Sequence, residues 1–250
     1  MMQNKGILTL FKEKKPIIAM IHLKGDTKEE VLERGKREID LLIQGGIDGL
    51  MLENYYGNYY DLERILEYAV SQQLPVPYGV NCLNVDALGF DLAARYKAGF
   101  LQVDSVVGHV KPRDEASLEV FFKTRRSTCD ACLIGGVRFK YQPVLSEKTV
   151  EEDLRIGMTR CDAIAVTQNA TGQETSMEKI RLFRQTIGDF PLVIAAGMTR
   201  ENAEKQLAVG DMAIIGSYFK DNYKDEGDVS LEHVQEFMTE IKRIRGKSYD

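Results

Sequence analysis

At 250 residues the chain is long enough for one large core, and 33 Lys and Arg against 38 Asp and Glu, a net charge of -5, leave no basic field for nucleic acid. No apolar run approaches a membrane span, and the opening residues lack a signal peptide's apolar segment and cleavage site, so a cytoplasmic protein without membrane insertion is expected. Cys82, Cys129, Cys132 and Cys161 are too few for a disulfide framework; the Cys129/Cys132 spacing suits redox or metal work but has no second pair, so reduced, buried thiols are expected.

Residues 15–22 read as a first buried strand, and Thr27 with Glu30 forms a capping box opening a helix that carries Ile39, Leu42 and Ile43 inward and stops at Gly45 and Gly46. A second strand covers 47–54. The helix after it, from Asp61, sets Leu62, Ile65, Leu66, Ala69 and Val70 on one stripe. Strand three covers 76–81, with its regular part after Pro77. A helix over 86–98 leads to strand four at 100–104, and a helix over 114–127 leads to strand five at 131–140. Thr149 and Glu152 form a second capping box, strand six covers 162–167, and a helix over 175–187 ends before Gly188. Strand seven starts at Pro191, Thr199 caps the next helix, strand eight covers 212–217, and Val234, Phe237, Met238 and Ile241 stripe the last helix.

Strand starts near 16, 47, 76, 100, 131, 162, 191 and 211 recur about every thirty residues and predict a single (β/α)8 barrel domain over 1–250, ahead of an open doubly wound sheet, which would carry a Gly-x-Gly-x-x-Gly after its first strand. Chemistry in such a barrel sits where strands end at their C-terminal side. The polar residues there are His22, Glu53 with Asn54, Asn81, Asp104, Arg138 with Lys140, and Thr167, and nearly every strand contributes one.

Glu53 and Asp104 are candidates for general acid and base, with pairing to Lys140 and turn formation as their structural alternatives. His22 is a candidate proton shuttle; with Glu53 and Asp104 it is also a possible divalent metal site. Lys140 and Arg138 suit charge stabilisation of an anionic substrate, and Lys140 alternatively Schiff-base chemistry. Thr167, Thr171 and Gly172 form a polar loop for oxyanion or hydroxyl contact, and Gly197, Met198, Gly216 and Ser217, where apolar strands end in glycine, are expected to cradle a phosphate. The tyrosines between Asn54 and Tyr60 suit ring stacking, closure over the pocket or subunit packing, while His109 reads as a loop residue and His233 as a solvated helix residue.

Together the segments Ile18-Ala-Met-Ile-His-Leu23, Gly45-Gly-Ile-Asp-Gly-Leu-Met-Leu-Glu-Asn54, Pro77-Tyr-Gly-Val-Asn-Cys-Leu-Asn-Val-Asp-Ala87, Ala163-Ile-Ala-Val-Thr-Gln-Asn-Ala-Thr-Gly172 and Ala195-Ala-Gly-Met-Thr-Arg-Glu-Asn202 resemble the BtpA/SgcQ family of barrel proteins. The chain departs from that pattern in lacking an arginine between Cys82 and Asp86, and in its Asp104-Ser105 and Lys140-Tyr141 pairs, all at the presumed pocket. The resemblance implies the barrel; the family is named for a role in photosystem I accumulation, and similar proteins occur in sugar-utilisation settings.

The expected function is that of an enzyme acting on a small phosphorylated metabolite, a sugar or nucleotide-derived phosphate, by isomerase, epimerase or lyase chemistry. A non-catalytic assembly or regulatory factor and a metal-assisted hydrolase are the alternatives, and a homo-oligomer is possible.

Overall fold

Strands covered on both faces are built of mainly apolar residues, and those of this chain are apolar except near their C-terminal ends. In the computed structural model, which describes residues 6–108, 114–144 and 146–247, they are β1 (Ile17–His22), β2 (Gly49–Glu53), β3 (Tyr78–Asn81), β4 (Phe100–Val103), β5 (Cys132–Gly136), β6 (Ala163–Val166), β7 (Leu192–Ile194) and β8 (Met212–Ile215). All pair in parallel in chain order, and β8 returns to β1 through Ile17 with Ala213 and Ala19 with Ile215, closing the barrel. The helices outside are α1 (Lys28–Gly45), α2 (Tyr59–Gln72), α3 (Asp86–Arg95), α4 (Glu115–Arg126), α5 (Val150–Met158), α6 (Met177–Ile187), α7 (Ala203–Leu207) and α8 (Leu231–Arg245). None among the described residues is long and apolar enough to cross a membrane.

The two-residue strand period divides the core into two shells. Ile17, Ala19, Ile21, Leu50 and Leu52 face the helices, while Ile18, Met20, Met51, Phe100, Ile134, Ala165 and Ile214 fill the barrel. Continuing each inward series by two residues reaches His22, Glu53, Gln102, Thr167 and Gly216 at the C-terminal rim. Gly79, two residues before Asn81, leaves room for the Phe100 ring, which a Cβ there would meet at 2.1 Å.

Local differences from the sequence expectation have physical causes. Helix α2 starts two residues before Asp61 because Asn58 caps it and Asp61 returns the bond to the Asn58 N–H. Its stripe ends at Ala69, and Val70 is exposed. Strand β5 stops at Gly136 rather than at residue 140, since Arg138 (φ 47°) and Tyr141 (φ 61°) turn left-handed. Helix α7 starts at Ala203, not directly after a cap at Thr199, because the Asn202 side chain ties the Thr199 N–H to the Gly197 carbonyl. His233 is half-buried, its ring stacked 4.4 Å from that of Tyr223. His109 lies outside the described residues. The four cysteines are free and buried, and burial pushes the Cys82 and Cys132 thiols up to about 11.

Gly197 and Gly216 differ in what they tolerate. Gly197 has φ 66°, and a Cβ there would lie 2.2 Å from the Gln173 backbone; at Gly216 the nearest atom would be His22 Cε1 at 3.4 Å. Gly197→Ala is therefore expected to cost ~2 kcal/mol or more in urea unfolding, from backbone strain plus the collision, and Gly216→Ala about half of that or less. Equal costs would mean that the Gly197 turn relaxes freely.

Candidate active site

Strands β1 to β4 present a row of polar side chains in register: His22 beside Glu53, Glu53 beside Asn81, and Asn81 beside Gln102. All four are buried. Asn81 donates to Glu53 Oε1 at 2.6 Å, and Glu53 Oε2 lies 3.3 Å from His22 Nε2. His22 Nδ1 meets the Asp225 carbonyl at 3.2 Å. A carbonyl only accepts, so the hydrogen-bond network assigns the proton to Nδ1 and leaves the lone pair on Nε2.

Electrostatics agree with that assignment. Burial pushes the Glu53 carboxyl up to about 8, with Asp104 adding to the rise and Lys140 and the Asn81 bond opposing it. Burial pushes His22 down to about 4, helped by the charge of Lys220. At neutral pH the pair is an uncharged acid beside an uncharged imidazole, with one proton between them on Glu53.

A pocket of about 250 Å³ opens beside this pair, lined by Met20, His22, Lys140, Thr171, Gly172, residues 195–199, residues 214–218 and Tyr223. It contains all four residues expected to cradle a phosphate. The N–H groups of Gly197, Met198, Gly216 and Ser217 meet no acceptor among the described residues, so the two turns offer donors to an anion. Lys140 Nζ reaches the pocket and donates to Thr171 Oγ1 at 3.2 Å. It forms no ion pair with Glu53, whose oxygens face Asn81 and His22.

Other expected site residues have structural partners away from this pocket. The Arg138 guanidinium lies 3.1 Å from Asp153 and donates to the Lys148 carbonyl, because the left-handed turn at Arg138 carries it outward. Asn54 accepts the Leu83 N–H at 2.8 Å and so braces the loop after β3. Thr167 is fully buried, accepting the Lys140 N–H through Oγ1 at 2.7 Å. Asn81 sits behind Glu53 and reaches the pocket only through it. Asp104 follows β4 and accepts from Gln102 at 3.2 Å. Among the described residues no three His, Cys, Asp or Glu side chains gather in a metal-holding group, and His22 turns Nδ1 to a carbonyl.

Three features lie outside the sequence expectation. Gln102 completes the polar row, and its Oε1 is buried without a partner. Asp225, in the segment after β8, holds His22 through its carbonyl, and the Tyr56 and Tyr55 hydroxyls beside its carboxylate hold it below the usual carboxylate range against the effect of burial. The Tyr55 ring lies 4.8 Å from that of His22, so the tyrosine loop closes over this wall. Lys220 and Glu38 form a buried ion pair at 2.9 Å that fastens the post-β8 segment to α1. Glu38 carries a readable signal, an acid on the stripe of Val31, Gly35, Ile39 and Leu42.

The model of the BtpA family matches residues 13–243. An uncharacterized protein of Thermococcus kodakarensis is 26% identical over 94% of this chain and 98% of its own. The photosystem I biogenesis protein BtpA of Synechocystis is 24% identical over 84% of this chain and 82% of its own. Among solved structures, one titled "Native KDPGal structure" superposes with a TM-score of 0.65 at 13% identity, over 92% of this chain and 95% of that one, a likeness of fold.

Proposed function

Because this chain belongs to the BtpA family and its rim sets an uncharged acid and imidazole beside two donor turns, we propose that it is an enzyme of small phosphorylated metabolites. The substrate is a sugar or nucleotide-derived phosphate, and the step is a proton transfer of the isomerase, epimerase or lyase kind. The observation that carries this reading is that His22 and the turns at 196–198 and 216–218 line one pocket.

In this mechanism the phosphate takes the free N–H groups of the two turns, which places the rest of the ligand along His22. The pair enters as an acid. The Glu53 proton crosses to Nε2 and from there to the substrate atom beside Gly216, and the negative charge left on Glu53 is eased by Lys140. The pair, now one proton short, takes a proton from the neighbouring substrate atom, so protons balance and the bond order of the ligand shifts by one position. Lys140 also offsets charge developing on a carbonyl oxygen.

Thermal shift with sulfate, sugar phosphates and nucleotides tests the reading. A ligand at 100 times its dissociation constant adds about 2.7 kcal/mol, a rise of roughly 5–10 °C at the ~2–4 °C per kcal/mol typical of a chain this size. Gly216→Asp, which puts a carboxylate into the pocket beside His22, is expected to melt cooperatively and lose the shift. No rise with any anion in the wild type overturns the phosphate site; a rise without turnover of any ligand favours a binding factor.

A further inference from the structure

The pocket has a second group of donors that the phosphate does not need. Thr171 and Gly172 are consecutive lining residues, and they look in two directions. A Cβ on Gly172 would lie 3.7 Å from Ser217 Oγ, beside the phosphate turn, whereas Thr171 Oγ1 receives Lys140 Nζ at 3.2 Å. Adjacent Cα atoms are only about 3.8 Å apart, so one short ligand can touch both ends.

The Lys140 end is rich in donors, and among the described residues no carboxylate lies within ion-pair distance of its ammonium. Tyr141 accepts the Thr171 N–H at 2.9 Å through its hydroxyl, and the Tyr55 hydroxyl lies beside the Thr171 side chain. Hydroxyl hydrogens can rotate toward a bound oxygen. Lys140 forms no ion pair with a carboxylate among the described residues: Glu53 faces Asn81 and His22, and Asp225 is held by Tyr55 and Tyr56. Burial keeps Glu53 uncharged, so it does not neutralise the ammonium.

We propose that Lys140 and Thr171 bind a carboxylate, which makes the ligand a short-chain phosphorylated carboxylic acid and not a neutral sugar phosphate. The inference rests on the phosphate reading above and narrows it. One ammonium matches one carboxylate charge; a second phosphate would bring nearly two, and among the described residues Arg138 offers no guanidinium to help, because it is turned to Asp153 and Lys148. A pocket of about 250 Å³ also sets a compact ligand.

Isothermal titration of the wild type and Lys140→Met with inorganic phosphate, glycerol 3-phosphate and 2-phosphoglycolate is the test, since only the last carries both groups. The wild type is expected to bind phosphoglycolate at least about tenfold more tightly than glycerol phosphate, a difference near 1.4 kcal/mol. Lys140→Met should erase that preference while leaving inorganic phosphate binding within about twofold, and Thr171→Val should weaken phosphoglycolate by a smaller factor. Phosphate binding with no carboxylate preference in the wild type overturns this proposal alone. Equal weakening of all three ligands by Lys140→Met also overturns it, by placing Lys140 in the phosphate cradle. No binding of any probe by the wild type removes the phosphate reading and this proposal together.

Discussion

Glu53→Gln is expected to abolish the loss of stability that the wild type suffers as pH rises from about 6.5 to 8. Burial pushes Glu53 up to about 8 in the folded chain from an ordinary 4.5, so between those limits the folded state holds a proton that the unfolded state has released. Unfolding is then favoured by rising pH, at up to about 1.4 kcal/mol per unit. His22 acts in the opposite sense: its folded value near 4 against 6.5 means that the unfolded state binds the extra proton in that window, so stability rises with pH there. The two slopes cancel from about 4.5 to 6.5, and above 6.5 only the Glu53 slope remains. Glutamine keeps the shape, accepting from Asn81 and donating toward His22 Nε2, but has no proton to lose. Urea unfolding at pH 5.5, 7 and 8.5 should show the variant gaining on the wild type by ~3 kcal/mol across that range, since His22 titrates alike in both. Parallel profiles would mean that Glu53 is ionised in the folded state. In the proposed chemistry the same exchange removes the acid and should cost about 100-fold to 10,000-fold in turnover.

Lys220→Met is expected to destabilise the fold by ~3 kcal/mol or more, measured by urea unfolding at pH 7. Lys220 is 1% exposed and Glu38 3% exposed, and both Glu38 oxygens accept from Nζ at 2.9 Å. The exchange leaves the Glu38 carboxylate buried with only Arg34 Nε, at 3.4 Å, beside it. The harm lies in the stranded charge more than in the lost attraction, so Lys220→Met combined with Glu38→Leu should recover most of the loss. A double variant no better than the single one would show that the ammonium does more than neutralise Glu38.

Much of this architecture is legible in the chain because the same signals repeat at each level. Apolar runs mark the strands, the capping boxes at Thr27 and Thr149 open α1 and α5 as expected, and the glycines at 197 and 216 mark the turns that shape the pocket. The inward series also points at His22 and Glu53. What the sequence does not disclose is where a side chain turns once its strand has ended. Arg138 and Thr167 occupy rim positions in the count, yet a left-handed residue sends the first outward, and the second is consumed by the Lys140 N–H. Gln102 escapes notice because it precedes the strand's last residue. Asp225 is unreadable for another reason: its role depends on a carbonyl, which every residue has, delivered by a segment whose path is set by the distant Lys220 and Glu38 pair.

The closure of β8 on β1 has a consequence for how the molecule comes into being. The buried polar row is encoded in the first four strands and the two glycine turns of the pocket in the last two, with some hundred residues between them. His22 leaves a ribosome about two hundred residues before Asp225, the group that sets its tautomer. A nascent chain therefore carries Glu53 and His22 without their final surroundings for most of its synthesis, and the pocket is complete only when the last unit docks. A chain cut before its final strand would lose the 216–218 wall of the pocket together with the pairing that closes the barrel on β1.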